Sequence, residues 1–399
     1  MIIQKKKILQ FFIILTLLSA IRFFYVLPLP SILAGYYSNL YLFTIVSMLT
    51  ICIYFLLYKV KMYSYGLEII LFFLILLINA IFMISFYNYS WFKVVGNLSY
   101  FIILADYFPF MKYIEIYGVK KFIKIIETIS LILGIILISQ EIIYYLTGHI
   151  FLKITVPANF SGRFYGVSEG FIRISVILSA YSIINSDFKI KNSLSWLNLI
   201  SSISCIIFVD QSRIYLVSVV AASLIMIALK FRSKLSLRKI FIVILSVVGV
   251  VLAAMSIRTT LNDPLDGSNF ARRDAISYYL LQMQRHVFTG LGVIVPGQDS
   301  WYFNFLRGPQ GIYYYTDIGI FGIYASLGIF GAIWYIWVHV KGLFIKSKYS
   351  LLKYGLFVES ICSFFTLSYL DKGRLISMVL FLVFFGLSIQ DGYGKENEK

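Results

Sequence analysis

The chain reads as an all-α polytopic membrane protein, and three observations predict that class. Hydrophobic residues fill 60% of its 399 positions and charged residues only 13%, about half the charged share of a soluble domain. Apolar runs of about 20 residues, the length that crosses a hydrocarbon core, recur from end to end. None of these runs alternates polar with apolar residues, as the strands of a membrane β-barrel do.

Taken in order, the runs predict about twelve spans, at 8–29, 38–58, 66–87, 92–111, 122–146, 165–185, 192–209, 212–230, 239–257, 316–340, 350–369 and 373–390. The first run, Ile8 to Leu29, is long and lacks a small-residue cleavage site, so it is expected to stay as a span. Lys93, Asn97 and Asp106 interrupt the fourth run. Only Asp210 and Gln211 separate the seventh from the eighth, which predicts a tight turn. The whole chain, 1–399, is expected to form one integral membrane domain, with a short polar tail at 391–399.

Charge orients these spans. Lysines 5–7, 59, 61, 112, 120, 121, 189, 191, 230, 234, 239, 341, 346 and 348, with Arg232 and Arg238, fall in every second loop. Such loops lie on the cytoplasmic side, which places both termini in the cytoplasm. The net charge of +17 is spread over these short loops, unlike the single basic face of a nucleic-acid binder. Loop 147–164, the turns at Asp210 and Asp371, and the long loop 257–315 then face outward. Lys372 and Arg374 break the pattern beside the last outer turn. Cys52, Cys205 and Cys362 all fall in apolar runs, so no disulfide or thiol–metal framework is implied. No dense acidic cluster suggests a metal site.

Four outer constellations carry chemistry. The first is Ser161 to Glu169, SGRFYGVSE, where Arg163 sits at the surface and suits forked contact with phosphate oxygens. Glu169 and Arg173 share a helix face at i,i+4, either as a self-satisfied salt bridge or as the wall of a polar cavity. The second is Asp210-Gln211-Ser212-Arg213, where Ser212 can cap the next span and Arg213 opposes the charge rule.

The third lies within the long loop. Ile276, Tyr279, Leu280, Met283 and Val287 recur at helical spacing and predict a short amphipathic helix on the bilayer or the bundle roof. Arg272, Arg273, Arg285 and His286 flank its other faces, either as a solvated side or as an anion site. Gly290-Leu291-Gly292 after it permits a close backbone turn. The fourth is Tyr313 to Gly319, followed by Gly322, Gly328 and Gly331, which suit close helix packing. Asp317 either deprotonates a sugar hydroxyl or complements the helix dipole. The tyrosines, with Trp301 and Tyr302, either stack on sugars or form an interfacial belt.

The order of these pieces resembles the O-antigen polymerase (Wzy-type) and O-antigen ligase superfamily of bacterial envelope glycosyltransferases. SGRFYGVSEG, QSRIYLVSVVAA and ARRDAISYYLLQMQRHVFTGLG followed by YYTDIGIFGIYASLGIFG carry the likeness, over roughly residues 155–340. The resemblance implies a GT-C-like helical fold in the bacterial cytoplasmic (inner) membrane. It implies a substrate, an undecaprenyl-diphosphate-linked oligosaccharide repeat unit, and partners in a flippase and a chain-length regulator. It also implies polymerisation without nucleotide sugar, cofactor or metal.

Arg163, Arg213, Arg273 and Arg285, joined by Arg272 and Arg258, would then bind the diphosphate. Asp317, His286 and Glu169, in that order, would be candidates for the catalytic base. The ligase branch places a histidine just before the glycine-studded span, where this chain reads Tyr313 to Asp317. That departure favours a polymerase over a ligase; a lipid-linked oligosaccharide flippase is the alternative from another class.

Overall fold

A computed structural model describes residues 2–25, 36–149, 156–157, 164–165, 169–189, 192–210, 213–231, 267–293, 305–309, 311, 313–366 and 368–388. Apart from one two-residue antiparallel pairing, β1 (Val156–Pro157) with β2 (Phe164–Tyr165), these residues fold as helices and their connections. The helices are α1 (Ile2–Ala20), α2 (Tyr36–Leu57), α3 (Gly66–Tyr87), α4 (Trp91–Leu98), α5 (Tyr107–Tyr117), α6 (Val119–Thr147) and α7 (Glu169–Asn185). They continue with α8 (Ser193–Ser204), α9 (Arg213–Lys230), α10 (Gly267–Gln282), α11 (Gly319–Phe344), α12 (Ser350–Phe365) and α13 (Leu375–Phe385).

Six of the described helical segments are long and apolar enough to cross a membrane: Leu40–Leu57, Gly66–Tyr87, Trp91–Tyr117, Val119–Thr147, Ser193–Asp210 and Gly319–Phe344. Shorter apolar helices run over Gly170–Asn185, Ile214–Lys230 and Leu375–Phe385. The expected span at 239–257 and the tail at 391–399 lie outside the described residues.

Expectation and structure differ in three places. The first helix begins at Ile2 and ends at Ala20, so it takes in Lys5–Lys7 and stops short of Leu29. The interrupted fourth run forms, but as α4, a 3₁₀ segment Ser99–Asp106 and α5 in series. Two of its polar residues turn inward, Asn97 at 7% and Asp106 at 0% exposed, while Lys93 is exposed; an uncharged or neutralised polar side chain costs less inside a bundle than toward lipid. The expected tenth span is broken, with Gly328 at φ 72° and ψ −169° inside α11.

The centre of the bundle is α13, in which every residue is buried. A helix apolar on all sides belongs inside. Around it pack α5, α7 and α12 together with the 3₁₀ segment. Polar contacts hold α6, α7 and α8 to one another. Ser179 and Ser195 donate to the Glu127 carboxylate at 3.0 and 2.8 Å, and Asn198 donates to Ser175 and Ser179. Between membrane helices such contacts and small-residue packing replace the hydrophobic drive available in water.

Three of the lysine-bearing connections are tied to one another or to their neighbours. Lys61 and Lys112 both reach Glu115, Lys341 reaches the Ser64 carbonyl and Glu68, and Lys353 reaches the carbonyls of Gly342 and Ile345. A second set of connections meets through Asn97–Val293, Lys372–Asn97 and Ser368–Thr316 contacts, and is called here the loop end.

Candidate functional site at the loop end

Helix α10 is clamped to the stretch that leads into α11. Tyr278 donates its phenol to the Phe305 carbonyl at 2.7 Å, and Tyr279 donates to Leu306 at 2.5 Å. Gly308, at φ 71°, lets the Tyr313 ring pass so closely that a Cβ would collide with it. Tyr313 N–H then closes onto the Arg307 carbonyl at 3.0 Å, and the Arg307 guanidinium lies over the Tyr314 ring at 4.2 Å. A 3₁₀ turn, Tyr315–Asp317, feeds α11. Burial, then Tyr315 and Tyr278, push the Tyr279 phenol up; Arg307 pulls it down and Asp317 pushes it up. The guanidinium and the carboxylate therefore act on one phenol.

The buried stripe of α10 and the 3₁₀ turn Met283–Arg285 after it is Ala275, Tyr279 and Met283. The expected stripe differs from it: Leu280 is exposed, and the helix ends before Val287. The clamp residues, rather than hydrophobicity alone, select the inner face. Arg272 stands two turns before Tyr279 on the same face and is half-buried, whereas Arg273 and Arg285 are exposed.

After α10 the chain does not stay on the surface. Leu291 and Gly292 donate to the carbonyls of Ala325 and Ser326 at 2.7 and 3.1 Å, and Ile329 N–H donates to Val287 at 2.8 Å. Residues 287–292 thus fill the break in α11. Asn79 of α3 donates to Thr289 and Ser326 carbonyls at 2.8 and 3.0 Å. Within the expected loop 257–315, residues 287–292 therefore lie against α11. Non-helical backbone at membrane depth is tolerated only where protein satisfies it, and here each of the two breaks supplies the other. His286 packs against Phe82 and Phe86 of α3. Burial and then Arg285 hold its imidazole below the usual histidine range, so near pH 7 it is neutral and able to accept a proton.

The last connection closes the end. Ser368 N–H donates to Thr316 at 3.3 Å, beside Asp317. Lys372 donates to Asn97 at 2.9 Å and lies over the Tyr100 ring at 4.6 Å, while Asn97 donates to the Val293 carbonyl at 3.4 Å. Arg374 pairs with Asp371 at 3.3 Å, and Gly170, next to Glu169, packs on Ser377 and Arg374.

Beneath this rim Arg173 is fully buried. Its ion-pair partner is Glu359 of α12, which also accepts the Tyr369 phenol. The guanidinium lies 4.3 Å from the Tyr215 ring centre and 5.2 Å from that of Tyr369. The sequence offered Glu169, four residues away, as a partner; Glu359 is distant in sequence and adjacent in the bundle.

Of the expected site residues, Arg163 and Arg258 lie outside the described residues. Glu169 and Arg213 are the first residues of α7 and α9, two helices that pack together. Asp317 joins the 305–317 turn, while His286 is seated on α3. Sequence reasoning left out Arg307, Lys372 and Arg374. The last two were visible as cations on the wrong side of the charge pattern. Among the described residues no three His, Cys, Asp or Glu side chains converge as metal ligands.

No protein-family model matches this chain, and neither a curated protein nor a solved structure matches it. The chemistry of the loop end therefore rests on its own residues. Its described cations include Arg272, Arg273, Arg285, Arg307, Lys372 and Arg374, and its carboxylates Asp317 and Asp371.

Proposed function

We propose that this protein is a membrane glycosyltransferase that polymerises undecaprenyl-diphosphate-linked oligosaccharide repeat units, with its loop end facing outward and both termini cytoplasmic across about twelve spans. One observation carries the reading. Tyr278 and Tyr279 clamp the arginine-bearing helix α10 to Phe305 and Leu306, so Arg272, Arg273, Arg307 and Asp317 belong to one substructure.

In the reaction, a hydroxyl oxygen of the acceptor repeat unit attacks the anomeric carbon of the donor glycan. The bond from that carbon to the diphosphate oxygen breaks, and its electron pair leaves with the lipid diphosphate. A base, Asp317 first and His286 or Glu169 next, takes the hydroxyl proton. Arg273, Arg285, Arg272 and Arg307, with Arg163, Arg213 and Arg258, stabilise the charge gathering on the leaving group. A polymerase reading is also favoured over a transporter one by the broken helix. Transporters leave the carbonyls at such breaks for ions or substrate, whereas Ala325 and Ser326 give theirs to Leu291, Gly292 and Asn79.

The test is the size distribution of surface polysaccharide and lipid-linked intermediates in wild-type, deletion and Arg273→Ala strains. Single repeat units accumulating on the lipid, with polymer lost in both mutants, are expected. Repeat units trapped on the cytoplasmic leaflet would mean a flippase, intact lipid-linked polymer a ligase, and unchanged profiles neither.

A further inference from the structure

We propose that Asn79 is a positioning residue for the reaction at the loop end, registering the arginine-bearing loop against the broken span α11. The inference rests on the polymerase reading and deepens it.

Asn79 sits within α3, a helix whose lipid-facing residues include Leu74, Leu77, Ile78 and Ile81, and is itself 1% exposed. A carboxamide at that depth is retained only where partners are exact in place. It has two, from different segments: the Thr289 carbonyl of the inserted stretch and the Ser326 carbonyl at the break.

The break makes this registration necessary. Gly328 interrupts the helix ladder, so the direction of residues 319–327 is not set by the rest of α11. Those residues begin directly after Asp317. The inserted stretch begins directly after Arg285 and His286. Its fit to the break is close: a Cβ at Gly290 would stand 2.6 Å from the Gly328 nitrogen, and one at Gly328 would run into the Phe288 carbonyl. By holding both carbonyls, Asn79 fixes the Asp317 side and the Arg285 side of the site to one rigid helix.

The test uses full-length protein in detergent with Cys52, Cys205 and Cys362 replaced by alanine and Thr289→Cys introduced as a reporter. Maleimide reaction at position 289 is compared with and without Asn79→Leu. Turnover per folded molecule is measured, without the reporter, at saturating lipid-linked repeat unit. We expect Asn79→Leu to raise the labelling rate and lower turnover, each by roughly tenfold or more, since misplacement by about 1 Å is enough for such losses. Asn79→Gln, which keeps both donors on a longer arm, should recover part of both.

A purely structural role would reduce the folded yield and leave turnover per folded molecule unchanged. That result, or unchanged labelling, overturns the proposal. If Asn79→Leu does not fold, Asn79→Ser is read by the same two measurements. A wild type that makes no polymer while the labelling contrast persists overturns the polymerase reading and leaves the joint itself supported.

Discussion

Arg173 of α7 and Glu359 of α12 form an ion pair in which both side chains are sealed from solvent, at 1% and 0% exposure. The Tyr369 phenol donates to the same carboxylate, and the Tyr215 ring covers the guanidinium. Below the loop end, this pair ties α7 to α12.

Breaking one side of such a pair leaves an uncompensated buried charge. Arg173→Met or Glu359→Leu alone should therefore cost about 3–5 kcal/mol, and the double replacement should recover most of it. Thermal unfolding in detergent, arranged as a double-mutant cycle, measures this. Additive losses would mean that the two residues do not depend on each other.

The Glu127 network makes a second prediction. Glu127→Leu strands the Ser179 and Ser195 hydroxyls that now donate to it, at a cost of about 1–3 kcal/mol. Glu127→Gln keeps an acceptor oxygen and should cost less. The order of melting temperatures, wild type above Gln above Leu, is the check.

Lys372 sets a pH dependence. Burial holds its ammonium down at about 8, with Asp371 partly offsetting that, against an ordinary value of 10.5. Between those values the unfolded chain binds more protons than the folded one, so stability rises with pH across that window. Below it both states are charged and the contribution is flat. Wild type should therefore gain stability relative to Lys372→Met between about pH 8 and 10 and run parallel to it below about pH 7. Parallel curves throughout would show that Lys372 is not held down.

On the proposed polymerase reading, Arg307 joins the arginines that would bind the diphosphate. Arg307→Ala should reduce turnover by about a hundredfold or more, as expected when one preorganised donor to a developing anion is lost. Arg307→Lys should restore little, because a point charge cannot reproduce a planar fork over Tyr314. Polymer of normal length from either variant would remove Arg307 from the site.

Much of the helix plan was legible. The third span was expected at 66–87, and α3 occupies Gly66–Tyr87. The fourth formed despite Lys93, Asn97 and Asp106, because polar residues interrupt a hydropathy pattern without interrupting a buried helix. Three of the lysine-bearing connections make local contacts through Glu115, Ser64 and Gly342.

The glycines of α11 were less readable. Gly322, Gly328 and Gly331 look alike in sequence; only Gly328 takes positive φ, and the pattern i, i+6, i+9 cannot say which glycine packs and which one breaks. Arg307 was passed over because nothing local distinguishes it from other loop arginines until Tyr278 and Tyr279 bind the Phe305 and Leu306 carbonyls beside it.

The sequence by itself determined the class and much of the helix plan. Those follow from the partition energy of each residue, which is local. Tertiary structure alone decided that Arg173 pairs with Glu359, that residues 287–292 fill the gap in α11, and that Asn79 joins them. Those choices depend on which distant backbone carbonyls and carboxylates must be satisfied where water is absent, and that demand exists only once the helices have packed.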